Sequence, residues 1–279
     1  PWRWGVWHAA DDEWLAELER RHALLGSGAA APQSKAAAAL DTTIPRRIHQ
    51  IWLGPQEIPS RCVAWQKTWR EHHPDWEYKL WRDEDVQGLT LKNERAFREA
   101  GNYGEKSDIL RYEILEQLGG VYVDIDMECL KPFDNLIQKS LMDGILHQRF
   151  AFVVGVSNTG CVEINNAVIA ARPGHPIVSR LIETIHKRAN QPQLDASMLA
   201  RIALMSGADV AQHLGVGAGA SASASAPMST IERTGPGLMT RTFMEAIGWT
   251  SEKTAPSTRH EGFLSTHDQE RVMALPVDV

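Results

Sequence analysis

The sequence predicts an α/β fold in which a mixed, mostly parallel sheet is flanked by helices. Two observations predict it. From residue 44 onward, short apolar runs rich in β-branched residues and bounded by Gly or Pro alternate with longer stretches of helical periodicity. Strands and helices that alternate at this spacing pack as layers, with helices on both sides of the sheet. A chain of 279 residues is also long enough to bury one large α/β core.

Taken in order, residues 1–25 carry Trp2, Trp4, Trp7, Trp14, Leu15, Leu18 and Leu24 among charges, and "DDEWLAELERRHALL" reads as an amphipathic helix. "GSGAAAPQSKAAAA" (26–39) reads as a linker, so residues 1–40 are expected to stand outside a main domain of 41–279. Ile48, Ile51 and Leu53 in "IPRRIHQIWLG" form a short strand stopped by Gly54-Pro55. Residues 60–72 are helical in pattern, 73–85 read as turn, strand, turn, and 91–100 as a helix. "KSDILRYEILEQLGG" is a helix with Ser107 as N-cap and Gly119-Gly120 as its stop, followed by a strand, "VYVDID". "FAFVVGVS" (150–157) is a further strand. "NNAVIAARPGHPIVSRLIETIHKRA" is expected to hold two helical pieces split by Pro173 and Pro176, and "TGPGLMTRTFMEAIG" to start another helix. "GVGAGASASASAPMS" (215–229) is low-complexity.

A formal charge of −6 argues against a general nucleic-acid binder, which is ordinarily basic. No apolar run reaches the length of a membrane span, and no signal-peptide pattern opens the chain. Because the first residue is Pro1 rather than Met, the chain reads as trimmed, with any targeting segment or anchor removed. The odd set Cys62, Cys129 and Cys161 has no metal-type spacing and leaves the compartment undecided.

The most informative stretch is "GGVYVDIDMECL" (119–130). In a strand, residues two apart share a face with Cα atoms roughly 6.5 Å apart. Tyr122, Asp124 and Asp126 would then share one face, while Val121, Val123 and Ile125 fill the other. Two crowded carboxylates repel and are costly to desolvate unless a cation compensates them. Oxygen-only ligands suit Mg²⁺ or Mn²⁺, which leave coordination positions open for phosphate oxygens. In the preceding helix Leu110, Ile114 and Leu118 form an apolar stripe, with Glu113, Glu116 and Gln117 opposite. Arg111 falls inside the apolar sector, with Asp108 one turn before it. An inward arginine needs an anion. The pair is either a structural ion pair or a grip on a hydroxyl-rich substrate in the same pocket as the two aspartates, and Arg111 is also placed to hold Asp124.

"IPRRIHQIWLG", "HPDWEYKLWRDED", "KSDILRYEILEQLGGVYVDIDMECLKPF" and "NNAVIAARPGHP" occur in this order, and over residues 44–247 the sequence resembles the D-x-D glycosyltransferases of family 32, the Och1-like and capsular-polysaccharide transferases. It is more distantly similar to the large clostridial glucosylating toxins. The resemblance implies a GT-A-like (Rossmann-like) fold, a nucleotide-sugar donor (UDP- or GDP-), a Mn²⁺ or Mg²⁺ ion and retention of anomeric configuration. It implies that Trp52 stacks on the base, that Asp108 and Arg111 contact the transferred sugar and its phosphate, and that Tyr122 lines the donor pocket. Asp124 would touch ribose or sugar, or the metal through water, while Asp126 ligates the metal directly. Asn166, or its neighbour Asn165, would lie near the sugar. The acceptor would be a hydroxyl on a glycan, lipid or protein. As bare residues, Trp52 and Tyr122 read equally well as core aromatics.

One departure stands out. The family supplies a further metal ligand from a His- or Trp-containing segment near its C-terminus, and "ERVMALPVDV" holds no match to it, His260 and His267 being the nearest candidates. The D-x-D stretch admits two other readings. A haloacid-dehalogenase-type phosphohydrolase also ends a strand in D-x-D, but places Thr or Val where Glu128 stands. A degenerate transferase fold that only binds is disfavoured by the intact Asp108, Arg111, Asp124 and Asp126.

Overall fold

A computed structural model describes residues 44–134, 138–139, 148–149, 151–157, 163–190, 229–246 and 272–275. The expected N-terminal helix and linker, all but the last residue of the low-complexity stretch, Cys161, His260 and His267 lie outside the described residues. The strands are β1 (Arg47–Ile51), β2 (Glu77–Trp81), β3 (Gly120–Val123), β4 (Gln138–Lys139), β5 (Gln148–Arg149), β6 (Phe152–Val156), β7 (Ile164–Ala171) and β8 (Val272–Leu275). The helices are α1 (Ser60–His72), α2 (Asp83–Val86), α3 (Glu94–Glu99), α4 (Tyr103–Leu118), α5 (Pro176–Asn190), α6 (Thr230–Arg233) and α7 (Pro236–Ala246).

Six strands form one sheet in the order β2-β1-β3-β7-β6-β8, and β4 and β5 pair separately. β2, β1 and β3 run parallel, β6 runs parallel to β8, and β7 is antiparallel to both β3 and β6. The expected mixed, mostly parallel sheet is therefore present, with β7 as the reversed strand.

Alternation along the strands gives each face its own core. On one face Tyr122, Phe152, Val154 and Ile169 pack with Ile109, Leu110 and Ile114 of α4, Leu181 of α5 and Phe243 of α7. On the other, Ile48, Val121, Val123, Val153 and Ala170 pack with Trp69 of α1 and Trp76.

Four expectations need correction. Residues 164–171 are strand β7, not helix. This Ala/Val/Ile run is paired on both sides and largely covered on both faces, so it lacks the alternation that would have marked it as a strand. β3 stops at Val123. Residues 125 and 126 form a turn, with Ile125 half-buried and Asp126 exposed, so Asp124 and Asp126 do not share a pleat. The α4 N-cap is Asn102, whose side chain accepts from Glu105 N–H at 2.8 Å, and Ser107 lies one turn inside the helix. Finally, Glu113 does not face solvent. It is 2% exposed and accepts from the backbone N–H groups of Lys92 (3.2 Å) and Asn93 (2.9 Å), and its burial pushes its carboxyl up. Helix α4 is covered on nearly all sides, so one polar face was the wrong premise.

The Gly119-Gly120 stop holds. Gly119 N–H closes α4 onto Leu115 C=O at 3.0 Å, and φ is +61° at Gly119 and +102° at Gly120. A Cβ on Gly119 would sit 2.5 Å from Pro173 Cδ. The Gly119 carbonyl is read by buried His49, whose Nδ1 accepts from Trp81 Nε1–H, so its Nε2–H donates to Gly119 at 2.9 Å. Burial lowers His49 to about 4, which keeps it neutral at pH 7. Gly119→Ala should therefore cost about 1–3 kcal/mol in urea unfolding, from the left-handed backbone and the Pro173 clash together. A change under about 0.5 kcal/mol would mean the turn is not constrained.

Candidate active site

β1 and β3 are adjacent and parallel, so the residues that follow them emerge side by side at the carboxyl edge of the sheet, where open α/β sheets bind ligands. Trp52 follows β1 and Asp124 follows β3. Trp52 is half-buried. Its backbone N–H donates to Trp81 C=O (3.0 Å), and its indole Nε1–H donates to Gln56 C=O (2.7 Å). The indole is thus fixed while part of it stays accessible, as a stacking platform requires.

The carboxylates come next. Asp124 N–H donates to Ala167 C=O of β7 at 2.8 Å. Its Oδ1 accepts from Tyr122 O–H at 2.6 Å and lies 3.1 Å from Arg111 Nη1. Arg111 is buried among anions and carbonyls. Nη2 lies 3.0 Å from Asp108 Oδ1, Nη1 donates to Asn166 C=O at 2.6 Å, and Nε donates to Ser107 C=O at 3.3 Å. The guanidinium also sits 4.4 Å from the centre of the Tyr122 ring. Burial opposes its charge, but Asp124, Tyr122 and Asp108 outweigh that and hold its pKa above the ordinary value.

Asp108 is equally well held. Oδ1 accepts from Asn166 Nδ2 (2.9 Å) and Oδ2 from Thr234 O–H (3.0 Å). Burial pushes its carboxyl up against the pull of Arg111, Thr234 and Asn166. Tyr112 closes the cluster, donating to Thr234 C=O at 2.8 Å while accepting from Asn166 Nδ2 at 3.2 Å.

The structure therefore brings Asp108, Arg111, Tyr122, Asp124 and Asn166 into one hydrogen-bonded cluster. Of the two neighbouring asparagines, Asn166 belongs to it. Asn165 instead bonds Ser157 Oγ and the Ala167 N–H. Tyr122 is 1% exposed, so its ring packs in the core and only its hydroxyl reaches the site, as Asp124's partner rather than as a pocket wall. Asp126 stands apart, exposed on its turn, with no hydrogen-bond or ion-pair partner among the described residues. Asp124 is thus compensated by an internal cation, not by crowding with Asp126.

Two residues, Tyr112 and Gln50, were missed in the sequence, and a third, Thr234, carried only the signal of its glycine-rich turn. Thr234 lies in "TGPG", where Gly235 lets the turn approach Asp108: a Cβ there would be 3.3 Å from Asp108 Oδ2 and 3.1 Å from Ile231 Cα. Tyr112 and Gln50 carry no spacing signal. Gln50, fully buried, donates from Nε2 to the Asp124 carbonyl at 3.2 Å and accepts from Tyr78 O–H at 2.5 Å.

Comparison with known proteins fits this arrangement. Residues 59–143 match the family described as a glycosyltransferase sugar-binding region containing a DXD motif, and this segment holds Asp108, Arg111, Tyr122, Asp124 and Asp126. The chain carries a DXD-type glycosyltransferase sugar-binding region. The resemblance read from the motifs is borne out on this point. Inositol phosphoceramide mannosyltransferase 1 of Schizosaccharomyces pombe is 33% identical over 151 residues, 52% of this chain and 43% of that protein. Inositol phosphoceramide mannosyltransferase 3 of the same yeast is 31% identical over 150 residues, 52% of this chain and 38% of that protein. The matched part of the chain spans about two fifths of these relatives' length. Among solved structures, one titled PaToxG glycosyltransferase superposes with a TM-score of 0.50 at 17% identity, covering 86% of this chain and 80% of that one. That likeness places the sugar-binding region on a GT-A-type fold.

Whether a divalent cation suits the site is a question of donors. No group of three or more His, Cys, Asp or Glu side chains gathers to hold a metal among the described residues. What the turn offers is an open carboxylate on Asp126 and the second oxygen of Asp124. One or two carboxylates completed by water and substrate phosphates are the usual setting for Mg²⁺ or Mn²⁺ beside a nucleotide, so the residues fit such an ion.

Proposed function

We propose that this chain is a metal-dependent, retaining glycosyltransferase that moves a hexose or N-acetylhexosamine from a UDP- or GDP-sugar to an acceptor hydroxyl on a glycan, lipid or protein. The names of the yeast relatives favour mannose as the hexose and a lipid headgroup as acceptor. The observation that carries the reading is the pairing of a preset Asp124 with an open Asp126 at the sheet edge beside Trp52.

Trp52 stacks on the nucleobase and sets the donor's register on the sheet edge. Asp124 accepts a hydrogen bond from a ribose or sugar hydroxyl through the oxygen that Tyr122 and Arg111 leave free. Asp126, with a contribution from Asp124, would hold Mn²⁺ or Mg²⁺ against the diphosphate. When bound, the ion supplies neutralisation of the charge that develops on the leaving group. Asn166 and Asp108 hold the floor of the cluster through their hydrogen bonds to each other and to Thr234. The family resemblance favours same-face substitution, with a leaving-group phosphate oxygen accepting the acceptor's proton. Among the described residues, no helix is long and apolar enough to cross a membrane, so the reading needs no span within them.

A thermal-shift screen of GDP-mannose, UDP-glucose and UDP-N-acetylglucosamine with Mn²⁺, followed by donor hydrolysis, tests the reading. One donor should raise the melting temperature and be hydrolysed only with metal, whereas silence with all of them refutes it. Product anomeric configuration by NMR tests retention, and an inverted linkage refutes that part. Trp52→Ala should weaken nucleotide binding by about 1–3 kcal/mol, measured by calorimetry. An unchanged affinity would place the base elsewhere.

A further inference from the structure

Asp124 is fixed at every polar atom but one. On the face that carries α4, Arg111 and Tyr122 hold Oδ1. On the opposite face Gln50 holds the Asp124 carbonyl at 3.2 Å, and the Gln50 amide is itself oriented by Tyr78 O–H, a half-buried residue packed among Trp69, Val121 and Val123. The Arg70 guanidinium caps the Tyr78 ring at 4.2 Å. Between the faces, the Asp124 N–H is taken by Ala167. Oδ2 accepts no hydrogen bond among the described residues, and the side chain is 30% exposed.

Arg111 has little left to offer a ligand. An arginine has five N–H donors, and four are committed here: Nε to Ser107 C=O, Nη1 to Asn166 C=O and Asp124 Oδ1, and Nη2 to Asp108 Oδ1. Its flat face is covered by Tyr122, and its side chain is 5% exposed. A group that grips phosphate needs a free fork of donors at the surface. This guanidinium has none.

We propose that Arg111 and Gln50 are positioning residues that hold Asp124 from opposite faces of the sheet, leaving one oxygen presented to the donor, and that Arg111 does not touch the donor phosphates. The inference rests on the transferase reading and departs from the phosphate-contact role that family resemblance implies for Arg111. Gln50 and Tyr78 enter the machinery here, reaching Asp124 through its backbone from the far side of the sheet.

The test separates positioning from phosphate contact in the intact chain. Arg111→Lys and Tyr78→Phe are compared with wild type by donor-hydrolysis kinetics and by calorimetry with UDP, GDP, UMP and GMP in Mn²⁺. Positioning predicts kcat about ten- to a hundredfold lower for Arg111→Lys, and several-fold lower for Tyr78→Phe, with diphosphate affinity within about twofold of wild type. If Arg111→Lys weakens diphosphate binding about tenfold while monophosphate binding stands, Arg111 touches phosphate and the proposal falls. Unchanged kcat in both variants also overturns it. Should Arg111→Lys fail to fold, Tyr122→Phe takes its place, since it loosens the same Asp124 oxygen without unpairing a buried charge. A reduced kcat at constant diphosphate affinity then supports the proposal, and wild-type kinetics refute it. A wild-type chain that neither binds nor hydrolyses any donor refutes the transferase reading itself, a result distinct from an active wild type with indifferent variants.

Discussion

Asp126→Ala should reduce metal-dependent donor turnover by about 10²–10³-fold, the scale on which removing a charge-stabilising element slows a reaction. The fold should not notice. Asp126 is exposed and unpartnered among the described residues, and surface substitutions of that kind ordinarily change stability by less than about 0.5 kcal/mol. Calorimetric titration of Mn²⁺ in the presence of nucleoside diphosphate should show the affinity lost, with an unchanged melting curve as the internal control. Full turnover in Asp126→Ala would mean the metal, if required, is held elsewhere.

Arg111→Met should do the reverse, striking stability first. Its guanidinium is the cation that Asp108 and Asp124 share, at 3.0 and 3.1 Å, in a site where it is 5% exposed. Removing one member of a buried ion cluster leaves uncompensated charge and typically costs about 3–5 kcal/mol. For a domain whose total stability is about 5–15 kcal/mol, that is a large fraction. Urea unfolding should show the midpoint fall sharply. Met fills most of the space, so the loss would be electrostatic rather than a cavity effect. A midpoint within experimental error of wild type would show that the two carboxyls become protonated at little cost.

Much of this was legible in the sequence, because the signals there are chemical. An arginine set in an apolar helical sector, with an aspartate one turn before it, demanded an anion, and Arg111 pairs with Asp108 and Asp124 as that demand implied. The glycine pair after α4 marked a backbone that other residues reach only under strain, and both glycines have positive φ. What was not legible depended on partners far along the chain. Glu113 looked solvent-facing on a helical wheel, but Lys92 and Asn93 fold over it. Asn166 and Thr234 meet Asp108 only after the sheet and α7 are in place, so no local spacing announces these contacts, and Asn166 was legible only through the family resemblance. Alternation carried past Val123 puts Asp126 on a pleat that the structure does not form. A strand's end is set by where pairing stops, and here the hydrogen bond from Asp124 to Ala167 is followed directly by a turn.

The reversed strand β7 has a consequence for how the protein comes together. The cluster joins residues 58 positions apart (Asp108 with Asn166) and 126 apart (Asp108 with Thr234). Contacts of such long sequence separation are entropically late events in folding. An excised 59–143 fragment would lack both Asn166 and Thr234 and could not complete the cluster. Competence for chemistry should consequently emerge in the last phase of refolding, after helical signal has returned, making turnover a reporter of finished topology rather than of secondary structure.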